Sequence, residues 1–104
     1  MDISIIIVSY NTRELLSDCL ESISRYSKNI KCETFVVDNN SSDKTAEFVS
    51  KNNLWVKLIA NKQNLGFSKA NNLALKKSVG KYVLIINPDT KLMPQTLSRM
   101  KDFM

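Results

Sequence analysis

The chain has 104 residues, 43% of them hydrophobic, with only two glycines and two prolines. The length suits one folded domain, 1–104, or part of one, and the composition is not that of a disordered segment. A net charge of +5 favours anionic partners; the absence of histidine excludes a His triad or His metal site, and Cys19 and Cys32 lack metal-ligand spacing.

Residues 3–9 read Ile-Ser-Ile-Ile-Ile-Val-Ser. The apolar centre, Ile5 to Val8, predicts a strand covered on both faces. The run is too short to span a bilayer and has no signal-peptide flanks. The cysteines are therefore expected to be reduced cytosolic thiols. Tyr10-Asn11-Thr12 is a turn, with Asn11 as N-cap and Glu14 completing a capping-box pattern. Leu15, Leu16, Cys19, Leu20 and Ile23 recur at helical spacing, so a helix is expected from about Thr12 to Ser27.

Residues 32–38 form the second strand. The loop Asp38-Asn39-Asn40-Ser41-Ser42-Asp43 is dense in turn and capping residues. Ser41 or Ser42 is expected to cap the second helix, with Asp43 at its positive end. Ala46, Phe48 and Val49 supply that helix's apolar side, and Asn52-Asn53 ends it. The third strand is expected from Trp55 to Ala60, with Trp55 in the core or at its rim. A polar loop, residues 61–67, follows. The third helix has Ala70, Leu73, Ala74 and Val79 as its buried stripe and Gly80 as its C′ residue. Tyr82 to Ile86 lacks polar alternation and reads as a strand buried on both faces; Pro88 stops it. Met93-Pro94 opens a fourth helix, with Leu97, Met100 and Met104 on one face. If that face is bare, it predicts self-association.

The order βαβαβαβα predicts a three-layer, Rossmann-like α/β fold with a mostly parallel four-stranded sheet. The expected strand order is 3-2-1-4. The crevice then opens between strands one and four, where the loops Ser9–Thr12, Asp38–Asp43 and Asn87–Thr90 meet. Asp38 and Asp89 stand just past strand ends, where turn chemistry explains them as readily as ligand binding does.

Four motifs occur in order: Val8-Ser9-Tyr10-Asn11; Val36 to Asp43; Asn64-Leu65-Gly66-Phe67 with Ala70-Asn71-Asn72; and Asn87-Pro88-Asp89-Thr90. Together they resemble the nucleotide-binding half of family 2 glycosyltransferases, the GT-A fold, and look most like its rhamnosyltransferase-type branch. The resemblance covers nearly the whole chain. It implies a nucleotide site made by Ser9, Tyr10, Asp38, Asn40, Gly66, Asn71 and Asn87, with Asp38 accepting the ring N–H of the base. It implies that Asp89 holds Mg²⁺ or Mn²⁺ on the diphosphate of the donor. The implied reaction is inverting transfer from a nucleotide-diphosphate sugar, with uridine or thymidine as the nucleoside, to a cell-surface glycan hydroxyl. The implied location is the cytoplasm, peripheral to the inner face of the membrane.

The chain departs from the family pattern in three ways. Asn87 replaces the first carboxylate of the family's Asp-x-Asp motif. Lys44 stands where glycine is usual. Family members continue into an acceptor half carrying the general base, so this chain is expected to be a donor-binding fragment, inactive alone. Two other classes stand beside this reading: a non-catalytic nucleotide-binding module and a protein-interaction domain. A phosphate-loop NTPase is disfavoured by the lack of a Gly-Lys-Ser/Thr loop, and a dinucleotide fold by the lack of glycine after strand one. Nucleic-acid binding is not expected, since no basic stripe is present.

Overall fold

The computed structural model describes residues 1–102. Its elements are β1 (Ile3–Ser9), α1 (Arg13–Tyr26), β2 (Cys32–Asp38), α2 (Thr45–Asn52), β3 (Lys57–Ala60), α3 (Phe67–Leu75), β4 (Tyr82–Ile86) and α4 (Thr96–Asp102). All strand pairs are parallel, in the order β3-β2-β1-β4. The predicted fold and strand order are both present.

Strand alternation divides the core in two. Ile3, Ile5, Ile7 and Val36 pack under α1, α2 and α4 through Leu16, Cys19, Leu20, Ile23, Val49 and Leu97. Ile6, Phe35 and Val37 pack under α3 through Ala70 and Ala74. β1 and β2 are buried on both faces, as their continuous apolar runs require.

β4 is different. Among the described residues it is an edge strand, bonded only to β1, and Val83 and Ile85 remain 42% and 43% exposed. Leu84 and Ile86 pack into the larger cluster, but no helix covers the other side among the described residues. The expectation of a fully buried strand four is corrected to a strand covered on one face. Four other expectations change as well. Leu15 is exposed, because only Leu16, Cys19, Leu20 and Ile23 turn inward. α3 ends at Leu75, so Val79 falls beyond it and is 67% exposed. Trp55 precedes β3 and is exposed. α4 starts at Thr96 rather than at Pro94; Leu97 is buried, Met100 packs partly on the core, Met93 is exposed, and Met104 lies outside the described residues.

Gly80 does not cap a helix. A Cβ there would sit 2.5 Å from the Ser4 backbone N and 2.7 Å from the Ile3 carbonyl carbon. Glycine is needed because the α3–β4 connection crosses β1 at contact distance. The Gly80 N–H donates to Ser4 Oγ at 2.8 Å, and Ser4 Oγ donates to Glu33 Oε2 at 2.5 Å. Glu33 also accepts from the Val79 N–H at 2.7 Å and pairs with Lys57 Nζ at 2.7 Å. This knot closes the edge of the sheet where the strands begin.

Candidate functional site

At the opposite edge β1, β2 and β3 end level with one another, and β4 stops two residues short of the end of β1. Ser9 is in register with Asp38, and Asp38 with Ala60; Ile7 is in register with Ile86. Ser9, Asp38 and the Asn87–Asp89 turn therefore share one rim. Three residues there have positive φ: Asn11 (53°), Asn40 (65°) and Lys44 (63°). Asparagine tolerates this region better than most side chains. The third case is the position noted above, where the family pattern has glycine.

Side chains knit the β1–α1 and β2–α2 loops together. Asn11 Oδ1 accepts from the Ser42 N–H at 2.8 Å and from the Ser42 hydroxyl at 3.2 Å. The Asn11 N–H donates to Ser41 Oγ at 2.9 Å. Asp43 Oδ2 accepts from the Arg13 N–H at 3.1 Å, while its Oδ1 accepts from the Thr45 N–H and hydroxyl. Burial pushes the Asp43 carboxyl up, but the bonds from Thr45 and Arg13 outweigh it and hold it below its ordinary value. Asn11 is thus a bridge between loops rather than the N-cap of α1; Thr12 holds that position. Ser41 and Ser42 likewise do not cap α2, whose first turn is served by Asp43.

Asp38 is 3% exposed. Its Oδ1 accepts from the Ser41 hydroxyl at 2.5 Å and its Oδ2 from the Ser41 N–H at 3.1 Å. Ser9 is buried, with its hydroxyl 3.1 Å from Thr12 Oγ1, and its carbonyl accepts from the Asn39 N–H at 2.9 Å. Tyr10 is half exposed at the lip, and Asn40 is exposed.

Asn39, one residue on from Asp38, works on the α3 side of the sheet. Its Nδ2 donates to the Gly66 carbonyl at 3.2 Å. Its Oδ1 accepts from Asn61 Nδ2 at 3.0 Å and the Leu65 N–H at 3.4 Å. It is 3% exposed and holds the β3–α3 loop against the rim. Sequence reasoning did not single it out; a polar residue directly following a fully buried strand was the available signal. Gly66 has φ 82°, and a Cβ there would meet nothing within 4 Å, so the backbone faces open space.

Asn71 is not at the surface of the rim. It is 4% exposed on α3, its Nδ2 donates to the Phe67 carbonyl at 3.1 Å, and its Oδ1 has no partner among the described residues. Asn87 and Asp89 are exposed, in a turn closed by the Thr90 N–H on the Asn87 carbonyl at 3.0 Å. The Asp89 carboxylate makes no hydrogen bond or ion pair among the described residues. Its loop is tied to α1 by the Leu92 N–H on Ser22 Oγ at 2.9 Å, and by the buried Leu92 side chain. Beneath it, burial and then the charge of Asp89 push the Cys19 thiol up to about 11. No group of three or more His, Cys, Asp or Glu side chains able to hold a metal occurs among the described residues.

Comparison with known proteins places this geometry. The chain matches the family model described as Glycosyl transferase family 2 over residues 4–104. It is 32% identical over 101 residues to the poly(ribitol-phosphate) beta-N-acetylglucosaminyltransferase TarS of Staphylococcus aureus, covering 93% of this chain and 18% of that protein. The crystal structure of S. aureus TarS 1-349 in complex with UDP-GlcNAc superposes with a TM-score of 0.88 at 31% identity, over 99% of this chain and 31% of that one. The mannosyltransferase PcManGT from Pyrobaculum calidifontis, in complex with GDP-Man and Mn²⁺, gives a TM-score of 0.84 at 26% identity, over 95% of this chain and 31% of that one. The chain thus spans a third or less of the length of these relatives.

Proposed function

The chain belongs to glycosyl transferase family 2, and on that premise we propose that it is the donor-binding half of an enzyme that moves a sugar from a nucleoside diphosphate sugar to an acceptor hydroxyl. The observation that carries this is the rim, with a braced buried carboxylate, Asp38, at the end of β2 and an exposed one, Asp89, past the end of β4 with no partner among the described residues. The two carboxylates suit different tasks. Each Asp38 oxygen keeps a free lone pair after bonding Ser41, so it can accept the ring N–H of a uracil or thymine base. The half-exposed Tyr10 ring gives that base a face to pack on. Asn40 and the Gly66 backbone are open to the base and ribose, while Asn71 stays buried on α3, and Asn87 can accept from a ribose hydroxyl or a water.

Asp89 fits a hard divalent cation only as one ligand among several, since no group of three or more acid, cysteine or histidine side chains forms among the described residues. One carboxylate with substrate phosphates and waters is an ordinary shell for Mg²⁺. When bound there, the ion would offset charge on the departing diphosphate. The proposed transfer inverts the anomeric centre. UDP-GlcNAc in one relative's complex and GDP-Man with Mn²⁺ in another's support the donor class and the cation.

The test is amide NMR of the chain titrated with uridine and thymidine diphosphates, with and without Mg²⁺. Shifts clustered at residues 9–11, 38–41 and 87–90, with the metal-dependent part lost in Asp89→Ala and binding abolished in Asp38→Ala, are expected. A folded chain showing no such shifts with either nucleotide overturns the donor-site reading.

A further inference from the structure

Lysines scattered along the sequence gather at the sheet edge opposite the rim. Between Glu47 and Asp89 the chain has seven lysines and no acid. Lys76, Lys77 and Lys81 are exposed on the segment that leaves α3 and enters β4. In a parallel sheet every helix-to-strand connection lies where strands begin. The α2–β3 connection therefore shares that edge, and it carries Leu54 and Trp55, 85% and 43% exposed. Val79, in the α3–β4 connection, is 67% exposed. Glu33 draws the two connections together. One of its oxygens takes the Val79 N–H at 2.7 Å and the other takes Nζ of Lys57, the first residue of β3, at 2.7 Å. The Glu33 charge is buried and paired, so it does not cancel the lysines outside it. Three large apolar tips and three exposed lysines, Lys81 with its ammonium 5.7 Å from the centre of the Tyr82 ring, thus stand along one edge, which is about 14 Å wide across three strand spacings.

We propose that this edge docks on an anionic lipid surface. Leu54, Trp55 and Val79 enter the boundary between headgroups and acyl chains, and Lys76, Lys77 and Lys81 meet lipid phosphates. Tryptophan favours that boundary, and lysine stems can lie along apolar surface while the ammonium stays at phosphate level. The contact is superficial: no helix among the described residues is long and apolar enough to cross a membrane. A nucleic-acid backbone would use the lysines but leave Leu54 and Val79 in water, and residues 48–88 contain no arginine for base or phosphate forks. Docked this way, the chain holds its rim roughly 20 Å from the lipid, the length of the seven-residue β1. This goes beyond the donor reading and does not depend on it.

Trp55 is the single tryptophan, so its emission reports this edge directly. The chain is mixed with phosphatidylcholine vesicles containing or lacking phosphatidylglycerol, and partition is followed by sedimentation and by Trp55 emission. Binding to the anionic vesicles with a blue shift, weakened by salt, is expected. Replacing Lys76, Lys77 and Lys81 together by alanine should lower partition by roughly 100-fold. Leu54→Ser with Val79→Ser should shrink the blue shift, while Arg99→Ala, on the exposed side of α4, should change neither readout. The proposal is overturned by equal partition onto neutral vesicles, by partition that leaves Trp55 emission unchanged, or by no partition of a chain with native circular dichroism. Partition of free inorganic phosphate against the same lysines, with no vesicle binding, overturns it too.

Discussion

Ser41 holds Asp38 twice, through its hydroxyl at 2.5 Å and its own N–H at 3.1 Å, and the same hydroxyl accepts the Asn11 N–H at 2.9 Å. One serine thus orients the buried carboxylate and joins the loops on either side of it. Ser41→Ala removes a charge-assisted bond and leaves the Asn11 N–H without its acceptor. Stability is expected to fall by about 2 kcal/mol in urea unfolding. Nucleoside diphosphate affinity should fall about tenfold while its dependence on Mg²⁺ is retained, because Asp89 is untouched.

Lys44 precedes α2 at φ 63°, ψ 28°. A left-handed conformation strains a side chain with a Cβ, and glycine removes that strain. Lys44 is exposed, and its carbonyl accepts the Phe48 N–H at 3.0 Å, a bond glycine can also make. Lys44→Gly is therefore expected to stabilise the chain by about 1 kcal/mol, read as a higher urea midpoint at unchanged m-value.

The two glycines fail for different reasons when replaced by alanine. At Gly80 the new Cβ meets backbone atoms of Ser4 and Ile3 that no side-chain rotation can move. Gly80→Ala should cost about 3 kcal/mol, and adding Ser4→Ala should not restore it. At Gly66 space is open, and only the backbone at φ 82° is strained. Gly66→Ala should cost about 1 kcal/mol. Parallel denaturation curves of the single and double variants check both.

Glu33 makes stability depend on acid pH. Burial pushes its carboxyl up, but hydrogen bonds from Lys57, Ser4 and Val79, with the Lys57 charge, outweigh it and hold it at about 2. The unfolded chain releases that proton near 4.5. A depressed native value means the contribution is complete above the unfolded value and is lost as pH falls from about 4.5 to 2. Glu33→Gln should flatten the dependence of unfolding free energy on pH in that window, on the order of 3 kcal/mol in all.

β1 and β2 were legible because an unbroken apolar run demands cover on both faces, and the strand order followed from alternation and crossover handedness. β4 carries the same kind of run, yet whether an edge strand is covered depends on what lies beside it. Val79 and Gly80 continued a helical spacing that the chain abandons at Leu75, because the pull of Glu33 on the Val79 N–H is a contact 46 residues away in sequence. At the rim, the positions of Asp38, Ser9 and Asp89 were readable from strand ends. The work of Asn11 and Asn39 was not, since the chemistry that caps a helix also bridges two loops.

Among the described residues β4 is bonded to the sheet on one side only, and it is the strand that carries the turn with Asp89. Its amides should exchange with deuterium faster than those of β1 and β2, as the sheet opens from its least supported margin. The two halves of the rim would then come apart in sequence. A partly opened molecule keeps Ser9 beside Asp38 and retains its grip on a base, having already released the carboxylate meant for the cation.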